Sequence, residues 1–227
     1  MPVLRKALLL GALCAFVAQP LARAAAESSF VGRHGPLPES VKARMRRYSW
    51  REGCPVPLEE LALVEVSHWG FDAGLHTGQV VVHQQIAAQV VEIFAELFEA
   101  RFPIEKLRLI DHYQGCDDSS MADNNSSAFN CRPISGRKQG FSRHSYGVAI
   151  DINPLVNPYI SASGNVSPPA GARFVERQQD APGMIHLGGP CHRAFVSRGW
   201  TWGGAWRRSK DYHHFELHPS KVLHQQE

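Results

Sequence analysis

The spacing of apolar positions changes several times along this chain, and each change marks an element. "LALVEVSHWGF" (61–71) alternates loosely and predicts a strand, "DAGLHTG" a turn, and "QVVVH" (79–83) a second strand, together a hairpin. Ile86, Val90, Ile93, Phe94, Leu97 and Phe98 then recur at helical spacing, and Pro103 closes the segment. That stripe predicts an amphipathic helix whose aromatic residues serve the core. "KLRLIDHY" (106–113) reads as another strand. Residues 114–140 carry almost no apolar periodicity, which predicts a long loop of the kind compact domains keep for function. "VAIDI" (148–152) reads as a strand with Val148, Ile150 and Ile152 on one face and Ala149 and Asp151 on the other. A turn-rich stretch follows over 153–171. "CHRAFVSRG" predicts a short helix ending at Gly199, and "WTWGG" and "HHFELH" are further strand candidates. One helical stripe and several short strands without internal repeat predict a single α+β domain.

The N-terminal part is different. Arg5 and Lys6 precede an apolar run from Ala7 to Val17, and Ala22 to Ala26 supplies small residues where a signal peptidase cuts. Residues 1–26 are therefore expected to be a signal peptide, with Cys14 inside it, and the mature protein to be periplasmic or secreted. The run is short of the roughly 20 apolar residues that a membrane span needs. From Glu27 to about Leu58 the sequence is polar and broken by Pro and Gly. It reads as an N-terminal arm (27–52) ahead of a domain over 53–227.

The net charge of +3 belongs to the leader, because removing Arg5, Lys6 and Arg23 leaves 21 basic against 21 acidic residues. No global positive field remains to bind nucleic acid, and the basic clusters at 42–51 and 207–210 read as solvated faces. No nucleic-acid partner and no membrane insertion of the mature chain are expected; a monomer is. Cys54, Cys116, Cys131 and Cys191 are an even set in a chain bound for an oxidising compartment, so two disulfides are expected. Of three pairings, Cys116–Cys131 with Cys54–Cys191 is favoured, since the first pair brackets the polar loop. A cysteine metal site is disfavoured because there is no C-x-x-C pair.

Chemistry concentrates in two short segments. In "SRHSYGVAID" (142–151), Gly147 permits a sharp turn that could bring His144 beside Asp151, and Asp151 points off the core face of its strand. One imidazole and one carboxylate make two-thirds of the protein ligand set of a catalytic zinc. "DYHHFE" (211–216) offers a third ligand together with a general base. Positions three apart face opposite ways on a regular strand, so Asp211 is expected at the strand entry, off the pleat, with His214 inside. His213 should then face away from the site, and Glu216, on the His214 face, could orient an imidazole. Trp200, Trp202 and Trp206 read chiefly as packing residues.

Ser-x-His-x-x-Gly-x-Ala-x-Asp and Asp-x-x-His-Phe-Glu, as they stand here, resemble the zinc D-alanyl-D-alanine carboxypeptidase family, which includes vancomycin-resistance carboxypeptidases. "FDAGLHTGQVVVH", "SMADNNSSAFNCR" and "INPLVNPY" are similar to its exported branch, and the resemblance covers residues 53–218. It implies a hedgehog/DD-peptidase type of fold, a small antiparallel sheet with flanking helices. It implies His144, Asp151 and His214 as zinc ligands and Asp211 as the general base that takes a proton from the attacking water. Arg132, in "FNCR", is the candidate for stabilising the oxyanion or for holding a substrate carboxylate. Ser142 and Tyr113 are placed near the site without a role. The expected substrate is a peptidoglycan stem peptide, cut foremost as a D,D-carboxypeptidase. An L-Ala-D-Glu endopeptidase, an L,D-carboxypeptidase and a non-catalytic binding module are the alternatives.

Overall fold

The computed structural model describes residues 29–134 and 139–223. The expected signal peptide and Cys14 lie outside the described residues. Among those residues no helix is long and apolar enough to cross a membrane.

In chain order the elements are β1 (Gly32–Pro36), α1 (Glu39–Tyr48), β2 (Leu61–Trp69), β3 (Leu75–His83), α2 (Ala87–Glu99), β4 (Lys106–Leu107), α3 (Asp117–Ala122), β5 (Asn125–Ser126), β6 (Ala149–Asp151), β7 (Tyr159–Ile160), β8 (Val166–Ser167), α4 (Pro190–Val196), β9 (Thr201–Trp202), β10 (Lys210–Asp211), β11 (His214–Glu216) and α5 (Ser220–Leu223). The protein is α+β. β1, β2 and β3 form one antiparallel sheet, β6, β11 and β9 a second, and β10, β7 and β8 a third; β4 and β5 are a short parallel pair.

The hairpin and the main helix follow the apolar pattern. β2 and β3 pair from Leu61↔His83 to Trp69↔Leu75, and the connection closes with Gly70 N–H donating to the Gly74 carbonyl. Val64, Val66, Val80 and Val82 point to one face of the sheet. Val90, Ile93, Phe94 and Leu97 of α2 bury against that side. Full burial of each such side chain stabilises the fold by about 1.5–3 kcal/mol. Val148, Ile150 and Ile152 of the β6 segment and Phe215 of β11 continue the same core, so the site strands are anchored by their inward residues.

Residues 29–52 are more than a polar arm. β1 pairs antiparallel with β2, from Gly32↔Val66 to Pro36↔Ala62, and Leu37 with Val41 and Met45 of α1 covers the other face of the sheet against Leu61, Val81, Leu109 and Phe129. The pairing of β1 is made by backbone atoms, which leave no trace in side-chain periodicity. α1 buries only Val41 and Met45 along its 10 residues. A second departure is "KLRLIDHY", where only Lys106–Leu107 is strand and Ile110–Tyr113 turns as a 3-10 helix. There the Asn125 side chain takes over from a ladder, accepting from Arg108 N–H and donating to the Arg108 carbonyl.

The disulfide also differs from expectation. Cys54 is joined to Cys131 across 77 residues, while Cys116 is an exposed free thiol and Cys191 a buried one. Neither favoured pair forms. Cys191 belongs to the α2 core on one side of the β1–β3 sheet, whereas Cys54 and Cys131 pack with the cluster on its other side. The observed bridge ties the segment after α1 to the chain just before Arg132. In the chain-entropy account a loop of this length stabilises the fold by about 4.5 kcal/mol. Cys131→Ser should lower the free energy of unfolding in urea by several kcal/mol, and a change under about 1 kcal/mol would show that the bridge contributes little.

Candidate metal centre and its cleft

β6 and β11 pair in the register His214↔Asp151, Phe215↔Ile150 and Glu216↔Ala149. Directly opposed residues in an antiparallel pair share a face, so the alternation that buries Ile150 and Phe215 sends Asp151 and His214 together to the other side. Ser127 holds the remaining edge of Asp151 through two backbone hydrogen bonds of 2.8 and 3.0 Å.

His144 arrives from a 3-10 turn over Arg143–Tyr146. Ser142 Oγ accepts the His144 N–H at its start, and Gly147 ends it at φ 68°. A Cβ at Gly147 would stand 2.5 Å from the His83 backbone nitrogen, so glycine is required by conformation and by space. The His144 Nδ1–H donates to the Ala128 carbonyl, which directs Nε2 to within 3.2 Å of Asp151 Oδ2 and 3.3 Å of His214 Nδ1. His214 Nδ1 lies 2.9 Å from Asp151 Oδ1, and its Nε2 lies 3.2 Å from Glu216 Oε2. One donor atom from each of His144, Asp151 and His214 therefore falls within 4.8 Å of the others, and all three residues are buried. Each imidazole has its outer nitrogen taken by an acceptor, the arrangement that orients metal-binding histidines.

The electrostatics follow from this crowding. Burial pushes the Asp151 carboxyl up, but the His144 and His213 rings and hydrogen bonds from His144 and His214 outweigh it and hold Asp151 well below the usual carboxylate range. Burial pulls His214 down, yet its bonds to Asp151 and Glu216 raise it to about 10.

Asp211 is not at the entry of the strand that carries His214. It lies in β10, paired with Tyr159 of another sheet, and the chain bends at Tyr212 and His213 before β11 begins. Gly203 lets the backbone pass close by, since a Cβ there would stand 2.7 Å from Asp211 Cβ. Asp211 Oδ1 is buried and has no aligned hydrogen bond among the described residues, although His213 Nε2 is 2.9 Å away. His213 does not face away from the site, as strand alternation had suggested. It precedes β11, is 3% exposed, and lies within reach of Asp211 and Asp151. Burial pulls its ring down and the two carboxylates raise it to about 9.

These groups line one cleft of about 690 Å³, together with Arg132, Arg143, Ser142 and Trp206. Arg132 is held by a short ion pair with Asp117 at the start of α3, and its backbone is clasped by Ser145 Oγ, which accepts from Arg132 N–H and donates to the Arg132 carbonyl. Arg143 stands 3.7 Å from Glu216. Trp206 contributes a ring 5.6 Å from that of His214, while Trp200 and Trp202 are buried in the core. Tyr113 bonds Asp123 and is not part of the cleft lining. The sequence reading missed Asp117, Arg143 and the inward turn of His213. The only available signal for His213 was that Asp211 has to leave the pleat, which bends the chain before its neighbour as well.

Five carboxylates, three imidazoles and two guanidinium groups line one concave surface, and together they can hold a cation, move a proton and bind an anionic substrate group. No curated protein and no solved structure gives a match to this chain. The segment 135–217, which contains His144, Asp151, Asp211 and His214, matches the model of a peptidase family described as D-alanyl-D-alanine carboxypeptidase.

Proposed function

We propose that the protein is an exported zinc metallopeptidase acting on peptidoglycan stem peptides, foremost as a D,D-carboxypeptidase that removes terminal D-Ala. The observation that carries this reading is the convergence of His144 Nε2, Asp151 and His214 Nδ1 in a cleft that also contains Asp211. Two imidazole nitrogens and one carboxylate oxygen suit zinc and leave a coordination position open. The Ala128 carbonyl and Glu216 brace the rings from behind, which adds to the fit.

Zinc bound there would polarise the scissile carbonyl and lower the pKa of water toward about 7. The remaining work falls to the chain's own side chains. Asp211 accepts the proton of the attacking water at its carboxylate and delivers it to the leaving amine. Arg132 places positive charge toward the developing oxyanion or toward a substrate carboxylate. Trp206 and Ser142 line the cleft beside these groups.

The Asp117–Arg132 ion pair supports a second reading. A carboxypeptidase needs a cation for the terminal carboxylate, and this arginine already has an acidic partner, so an endopeptidase cutting an internal bond of the same polymer also fits. Mass spectrometry of a stem pentapeptide incubated with zinc-loaded mature protein, with a chelated control, separates the two. Metal-dependent loss of one alanine supports the carboxypeptidase and an internal cut the endopeptidase. An intact peptide in the presence of bound zinc would leave a binding module.

Metal uptake should depend on pH in a defined sense. His214, raised to about 10 without metal, must give up its proton to bind a cation. Zinc affinity should therefore climb as pH rises from 6 toward 9, with proton release measurable by calorimetry in buffers of different ionisation enthalpy. A flat affinity over that range would show that cation binding displaces no proton from His214.

A further inference from the structure

His213 is the least expected member of the cleft. Its Nδ1–H donates to the Asn157 carbonyl at 2.7 Å, and this fixes the ring so that Nε2 stands 2.9 Å from Asp211 Oδ1 and 3.8 Å from Asp151 Oδ2. Asn157 is itself immobilised. Its side chain donates to the Ile152 and Gly183 carbonyls and accepts from the Ile185 N–H and from Arg177. The Arg177 guanidinium also caps the carbonyls of Val156, Phe174 and Ile185 and lies over the Tyr212 ring, 4.4 Å from its centroid. A chain of contacts, buried at Asn157 and His213, thus runs from Arg177 to Asp211.

We propose that His213 is a positioning residue that fixes the Asp211 carboxylate at the cleft and keeps it apart from Asp151. The inference rests on the reading of Asp211 as the general base. Asp211 Oδ1 has no aligned hydrogen bond among the described residues, so the contact with the His213 ring is what defines its place. Without that ring the Asp211 carboxylate loses the 2.9 Å contact that holds it at the cleft and is free to turn toward solvent. Misplacing a catalytic group by about 1 Å can cost roughly 100-fold in rate.

The test compares His213→Phe, which keeps the bulk and removes the polar edge, with His213→Gln, whose amide can reach the same carboxylate. The Phe variant is expected to lose roughly 100-fold in kcat with KM and zinc content unchanged, on the same scale. The Gln variant should recover most of it. In an Asp211→Asn background, His213→Phe should cost nothing further, because the ring acts through that carboxylate. Crystal structures of wild type and the Phe variant should show the Asp211 side chain displaced.

An unmoved Asp211 with kcat within about twofold of wild type would overturn the inference, as twofold is far below that scale. So would loss of zinc from the Phe variant, since the ring would then be serving Asp151. An equal loss in the Asp211→Asn background would overturn it as well. A wild-type protein that cleaves no stem peptide would refute the peptidase reading alone, and the position of Asp211 in the two crystal structures would still decide the role of His213.

Discussion

Asp211→Ala is expected to reduce turnover of a stem peptide by about 100-fold or more, the usual cost of removing a general base, while zinc content stays stoichiometric. The separation of the two effects follows from where the residue sits. Asp211 belongs to β10 and lies outside the set of donor atoms that converge from the turn at His144 and from β6 and β11. Its removal leaves the bracing of His144 by Ala128 and of His214 by Glu216 untouched. Asp211→Asn keeps the shape and removes the proton acceptor, so it should match the Ala variant in kcat. Single-turnover kinetics with metal analysis of the same samples gives the answer. Full turnover in either variant would remove Asp211 from the mechanism.

His214→Ala should do more, abolishing both zinc binding and hydrolysis. The substitution deletes one of the three proposed ligands and also leaves Asp151, 8% exposed, without the ring that stands 2.9 Å from its carboxylate. Breaking a buried ion pair from one side costs about 3–5 kcal/mol, so the metal-free variant should also unfold at lower urea than metal-free wild type. His144→Ala should behave in the same way, since its Nε2 stands 3.2 Å from the other oxygen of Asp151. Atomic absorption on dialysed protein is the direct measurement. Stoichiometric zinc retained by His214→Ala would place the metal elsewhere.

What the sequence made legible depended on whether side chains or backbone atoms carried the structure. β2, β3 and α2 could be read because Val64, Val66, Val80, Val82, Val90, Ile93 and Phe94 keep the periods of a strand and a helix while burying one face. β1 could not, because "GRHGP" is mostly exposed and its contribution is a row of backbone hydrogen bonds to β2. The juxtaposition of Asp151 and His214 was within reach, since both segments alternate and each has one residue pointing off the core. Their register was not, because nothing in either segment says which residue faces which. The disulfide failed for a related reason. Proximity in sequence favoured Cys116 with Cys131, but membership of one packed cluster decided the pairing, and that is a property of the whole sheet. His213 was misjudged because its orientation is set by the carbonyl of Asn157, 56 residues away, and not by its neighbours.

Of the three converging residues, His214 lies far along the chain from the other two. His144 and His214 are separated by 70 residues and Asp151 and His214 by 63. A cation held by all three can stabilise only states in which β11 has already docked against β6, and docking of that kind belongs to the late, long-range part of folding. Stabilisation that appears after the transition state slows unfolding and leaves the folding rate nearly unchanged. Bound metal would therefore act on this protein chiefly as a brake on opening. It would extend the lifetime of the folded chain where escape from the folded state, and not the ability to regain it, limits survival.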